Sequence, residues 1–142
     1  MADFLIAYNR TVGKEGGYDD DPDDKGNWTG KAVGKGVLAG TIKGITCWEV
    51  AEYYGRPVTA EDVKNFPESA IQSIYRKKYW SVMRGDEIVS QDNANQIFDF
   101  GVNTGINTGI KQWQRSLNEL YPDIKLQESG KMDDKTLNAT NS

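Results

Sequence analysis

Glu15 and Asp24 bracket the most acidic stretch of this 142-residue chain, which also holds Asp19, Asp20, Asp21 and Asp23. Two separated carboxyl groups suit glycosidic hydrolysis: one gives a proton to the leaving oxygen, the other attacks, stabilises or delivers water to the anomeric carbon. Glu15 fits the donor. The spacing of Leu5, Tyr8 and Val12, with Phe4 and Thr11 beside them, predicts an amphipathic helix over residues 3–14 capped by Asp3, with Gly16-Gly17 as a stop that tolerates positive φ. Helix carbonyls at that end, and burial against Tyr18 or Trp28, would raise a glutamate pKa, the direction a general acid requires. Asp24, on the loop, fits the group that activates water. Inversion would follow from carboxyl groups roughly 6.5–9.5 Å apart, retention from roughly 5–5.5 Å. The same residues also suit a solvated glutamate followed by a hydrated acidic turn.

Composition narrows the alternatives. The chain has no histidine, which excludes Ser-His and Cys-His catalysis and the usual histidine-containing zinc sites. Asp19, Asp21 and Asp23 alternate as in a calcium loop, but Asp24 stands at the position that needs glycine and Gly30 at the one that needs glutamate. No metal and no cofactor are expected. Lone Cys47, at an apolar helix start, reads as a buried structural thiol. The net charge of −4 gives no broad basic field for nucleic acid, and Arg76-Lys77-Lys78 reads as a solvated helix face. Among four tryptophans and seven tyrosines, Trp28 and Tyr18 are candidate sugar-facing surfaces, since aromatic planes pack on pyranose faces; both equally suit plugs between loop and body.

These residues need elements to position them. Residues 18–46 are rich in glycine and poor in helical periodicity, yet Trp28, Val33, Val37, Leu38, Ile42 and Ile45 give them something to bury. Short strands at 32–33, 37–38 and 41–45 are predicted, forming a small β-flap. Thr46 and Glu49 make a capping box for a helix ending near Gly55 and Pro57. Thr59 and Asp62 open a short helix, and Pro67 opens a longer one in which Ala70, Ile71, Ile74 and Tyr75 lead to Tyr79-Trp80. A helix over 93–100, a glycine-rich loop through Gly101, Asn103, Gly105 and Gly109, and a helix carrying Ile110, Trp113, Leu117 and Leu120 to Pro122 complete the plan. The expectation is one mainly α domain spanning residues 1–142, with a glycine-rich, β-containing flap over a groove.

The blocks Glu15-Gly16-Gly17-Tyr18, Asp21-Pro22-Asp23-Asp24, Gly26-Asn27-Trp28-Thr29, Gly40-Thr41 and Gly44-Ile45-Thr46 resemble the N-terminal signature of glycoside hydrolase family 108. The resemblance continues through Tyr79-Trp80, Phe98-Asp99, Asn103-Thr104-Gly105 and Gln114, over roughly residues 3–137. It implies a lysozyme-like helical fold and a bacterial or phage N-acetylmuramidase acting on peptidoglycan, with Glu15 as the catalytic glutamate and Asp24 as the loop aspartate. A similarity to phage lysozymes in the order glutamate, aspartate, threonine implies that Thr29 helps hold a water. Asn103 is expected near the groove, with Asp99 either orienting a partner or serving as a buried cap. Asn27 departs from the pattern, standing where many members have glycine. Residues 94–137 resemble the start of a peptidoglycan-binding-like segment that usually runs further.

The N-terminal residues lack a basic region followed by a long apolar run, so neither a secretory signal nor a membrane span is expected. A monomeric enzyme made in the cytoplasm would then reach the periplasm or cell wall through phage lysis-type release, virion delivery or dedicated secretion. Two other readings are a non-catalytic peptidoglycan-binding protein and a structural phage or secretion component that docks through exposed aromatics.

Overall fold

The computed structural model describes residues 1–13 and 16–142. Lys14 and Glu15, the predicted helix end and general acid, lie outside the described residues. The elements are α1 (Phe4–Thr11), β1 (Tyr18–Asp19), β2 (Thr41–Ile42), β3 (Ile45–Thr46), α2 (Cys47–Tyr54), α3 (Ala60–Lys64), α4 (Glu68–Tyr75), α5 (Gln91–Thr104), α6 (Ile106–Leu120) and α7 (Asp134–Asn141). The mainly α expectation, with one small β-element, holds. Two compact units are formed, one by Met1–Lys14 and Gln72–Ser142 and the other by Glu15–Ile71.

In the first unit, Asp3 caps α1 by accepting the Leu5 N–H at 2.8 Å. Phe4, Ala7, Tyr8 and Val12 are buried, whereas Leu5 is 46% exposed. At about 100° per residue, Leu5 falls outside the stripe centred on Phe4, Ala7, Tyr8 and Thr11, so Ala7 takes the inward place predicted for it. The helix ends earlier than the Gly16-Gly17 stop: the Val12 and Gly13 N–H groups both donate to the Tyr8 carbonyl.

Aromatic packing closes this unit. The Phe4 ring lies 5.6, 5.7 and 5.9 Å from those of Tyr8, Trp80 and Phe98. Such pairs add about 0.5–1.5 kcal/mol each beyond area burial. The helix beyond Pro67 does reach Trp80, but its last turn, Arg76–Trp80, is π-helical. That wider turn lets Tyr75 and Trp80, five residues apart, both bury. The Trp80 indole N–H is satisfied by Asp86 at 2.9 Å.

The loop expected from Gly101 to Gly109 is instead helical on both sides of one residue. α5 runs to Thr104, Gly105 turns the chain with φ of 94°, and α6 begins at Ile106. Gly101 and Gly109 are the points where these helices meet: a Cβ added at Gly109 would fall 2.9 Å from the Gly101 Cα. Beyond α6, Gln114 is wholly buried and donates to the Lys131 carbonyl and the Thr136 hydroxyl at 2.9 and 3.0 Å, while its carbonyl oxygen accepts the Gly130 N–H at 2.9 Å. The polar atoms of Gln114, Gly130 and Thr136 thus bind one another and pin the approach to α7 against α6.

Gly109→Ala should lower stability by about 1–3 kcal/mol, because the methyl group meets backbone that cannot rotate aside. A fall in the urea midpoint at unchanged m-value checks this; an unchanged midpoint would mean that α5 and α6 can part without cost.

Candidate active site

The second unit carries the acidic stretch. β2 and β3 form a hairpin whose turn residues, Lys43 and Gly44, have φ of 46° and 80°. Both values are positive, as a tight twisted hairpin requires, so the single strand predicted over 41–45 is split in two. β1 joins the other edge of β2, with Asp19 opposite Thr41 and Tyr18 opposite Ile42.

The loop after β1 folds on its own aspartates. Asp19 accepts the Asp21 N–H, Asp21 accepts the Asp23 N–H at 3.0 Å, and Asp24 accepts the Gly26 N–H at 2.8 Å. Each is a carboxylate bonding backbone two residues ahead, the short-range turn for which Asp is suited. This gives three of the crowded acids a local structural task. Among the described residues, no group of three or more His, Cys, Asp or Glu side chains is arranged to hold a metal.

Asn27 locks this loop to the hairpin. Its side chain is wholly buried, and its Nδ2 donates to Asp19 Oδ2 at 3.2 Å and to the Asp21 carbonyl at 3.0 Å. Its Oδ1 accepts the Thr41 hydroxyl at 2.6 Å, and its main-chain carbonyl accepts the N–H groups of Ala39 and Gly40 at 2.9 and 3.0 Å. An amide both donates and accepts, so it can bridge a carboxylate on one side and a hydroxyl on the other. The Asn27 departure from glycine is therefore the centre of the local network. Asn27, Asp19 and Thr41 were not singled out as interacting site residues in the sequence, because their contacts span up to fourteen residues.

Residues 28–38 leave and return at the Asn27 clamp. Trp28 bridges Leu38, and the Thr29 and Gly30 N–H groups donate to Val37 and Lys35 carbonyls. Residues 32–33 form a turn where a strand was predicted, and Val33 and Val37 are each 53% exposed where burial was expected. Backbone hydrogen bonds across closely spaced turns hold this excursion. The Thr29 hydroxyl oxygen belongs to them, accepting the Val37 N–H at 2.8 Å.

The other predicted positions have defined surroundings. Asp24 is exposed at the start of a 3₁₀ turn, Lys25–Asn27. Trp28 is half-buried, and its indole N–H donates to the Pro22 carbonyl at 2.8 Å. Tyr18 donates its hydroxyl to the Ala39 carbonyl at 2.8 Å, and its ring covers Gly40, where a Cβ would stand 2.4 Å away. Burial first, then the negative charge of Asp20, pushes its phenol pKa up, which keeps that donor protonated. Both aromatics thus pack into the loop, with part of each still accessible. Cys47 is buried as expected, and desolvation pushes its thiol pKa up. In the first unit, Asn103 is exposed and donates to the Asp99 carbonyl one helical turn back. Asp99 accepts the Thr11 hydroxyl at 3.1 Å and is exposed, not the buried cap anticipated.

The sequence model of Glycosyl hydrolase 108 matches residues 8–105. The chain belongs to glycosyl hydrolase family 108. The match spans Glu15, the acidic loop and the hairpin, and runs through α5. Among solved structures, the family 108 chain is similar to Brucella abortus SagA, with a TM-score of 0.67 at 27% identity over 96% of this chain and 67% of that one. No curated protein sequence matches it. The mainly α, lysozyme-like fold class expected from the sequence is supported by this likeness.

Asn27→Ala removes three side-chain hydrogen bonds, to Thr41, Asp19 and the Asp21 carbonyl, each with a net worth of roughly 0.5–1.5 kcal/mol. Chemical denaturation should show a loss of that size, and hydrogen exchange should show faster amides at Ala39 and Gly40. Wild-type exchange in the variant would mean that the clamp does not hold the loop.

Proposed function

We propose that this protein is an N-acetylmuramidase that hydrolyses the β-1,4 bond between N-acetylmuramic acid and N-acetylglucosamine in peptidoglycan. The observation that carries this reading is the family 108 match across residues 8–105, which takes in both candidate carboxyl groups and the loop between them. Glu15 protonates the leaving oxygen. Asp24 activates water at the anomeric carbon, its Oδ1 held by the Gly26 N–H at 2.8 Å. Thr29 contributes a hydroxyl to hold the water, and Thr41 is a second hydroxyl bonded into the acidic loop through Asn27. Tyr18 and Trp28 offer ring faces to the sugars.

The order of events follows ordinary carboxyl chemistry. The Glu15 proton passes to the bridging oxygen as the glycosidic bond breaks, water adds to the anomeric carbon, and its proton passes to Asp24. The enzyme acts as a monomer on wall material in the periplasm or beyond, reached by lysis-type release, virion delivery or dedicated secretion. No described helix is long and apolar enough to cross a membrane.

Glu15→Gln keeps size and hydrogen bonding but removes the proton, so reducing-end release from peptidoglycan should fall by roughly 10²–10⁴ with circular dichroism unchanged. Asp24→Asn should fall comparably, whereas Asp20→Asn should change little. Cleavage near the wild-type rate by folded Glu15→Gln would overturn the assignment.

A further inference from the structure

The second unit contains a cavity of about 470 Å³, within the roughly 300–1,000 Å³ of small-molecule sites. One wall is the face of α2 carrying Trp48, Ala51 and Glu52; Pro57 continues it, and Lys31 and Val37 of the excursion complete it. Of the described candidate catalytic residues, Thr29 also lines it, whereas Asp24 does not. The Trp48 indole N–H donates to the Trp28 carbonyl at 2.7 Å, which fixes the ring, and Lys31 Nζ stands 5.4 Å from the ring centroid. A fixed indole, an apolar floor and two opposite charges are therefore gathered in one concave place.

We propose that this cavity is a saccharide-binding pocket that takes one N-acetylhexosamine unit beside Thr29, with Trp48 and Ala51 selecting for the acetamido group. The indole packs against the apolar C–H face of a pyranose ring. Ala51, Val37 and Pro57 receive the acetyl methyl group. Glu52 accepts hydroxyl or acetamido N–H protons, and Lys31 donates to sugar oxygens. An unsubstituted hexose lacks the methyl group that fills the apolar part, which makes the acetamido group the selective feature. The choice of an N-acetylated sugar rests on the peptidoglycan reading; the pocket itself rests on its lining.

The test uses the whole protein and the soluble trimer of β-1,4-linked N-acetylglucosamine, with the unacetylated glucose trimer as comparison. The Trp48 indole N–H resonance, assigned through Trp48→Phe, should shift saturably with the acetylated trimer and scarcely with the glucose trimer. Ala51→Leu fills the cavity without removing a partner, and Glu52→Gln removes an acceptor charge; each should weaken binding about tenfold or more. Asp24→Asn should bind as the wild type does. No Trp48 response at millimolar acetylated trimer, equal response to both trimers, or undiminished binding by folded Ala51→Leu would each overturn the proposal. Peptidoglycan cleavage without any Trp48 response sinks the pocket alone. A Trp48 response in a protein that cleaves nothing sinks the muramidase reading and leaves the pocket standing.

Discussion

The buried amide of Asn27 is the constraint on which the second unit depends. An acid-rich loop repels itself and has little apolar surface with which to fold. Here the local Asx turns satisfy its backbone, and one interior amide ties Asp19 and the Asp21 carbonyl to Thr41 on β2. Burial of the amide makes its own Nδ2 and Oδ1 costly to leave unpaired. The clamp fixes where the chain departs into the 28–38 excursion and where it rejoins, because the Asn27 carbonyl accepts both Ala39 and Gly40. Asp24, three residues upstream, inherits its position from this arrangement and its own turn with Gly26.

The first unit solves a different problem with related means. Its helices pack through an aromatic cluster around Phe4 and Trp80, and α5 approaches α6 through two glycines. Irregular chain beyond α6 is then specified by Gln114, which plays for residues 129–136 the part that Asn27 plays for the acidic loop. In both places a buried side-chain amide bonds on its donor and its acceptor side, giving irregular segments a definite course without much apolar burial.

Local signals were legible in the sequence where the physics is local. Thr46 with Glu49 and Thr59 with Asp62 each form the reciprocal capping box that their spacing announces, and Gly55 ends α2 in the left-handed region. Long-range determinants were not. Gly101 and Gly109 resemble loop residues until the opposing helix is known, and Val33 and Val37 resemble strand residues although hydrogen bonds, not side-chain burial, close their excursion. Asn27 looked like a substitution in a glycine turn because its value lies in Asp19 and Thr41, eight residues back and fourteen ahead. The family was legible because several motif blocks recur in order, while the roles within the site depend on substrate contacts that sequence patterns do not measure.

The identity of the bond cut joins the family, the acidic loop and the proposed acid in one reaction. Hydrolysis on the muramic acid side leaves a reducing N-acetylmuramic acid. Purified protein should be incubated with peptidoglycan, the fragments reduced with borohydride, and their ends identified by mass spectrometry. Newly formed N-acetylmuramitol ends should appear and grow with time. N-acetylglucosaminitol ends, or intact strands after prolonged incubation with folded protein, would contradict it.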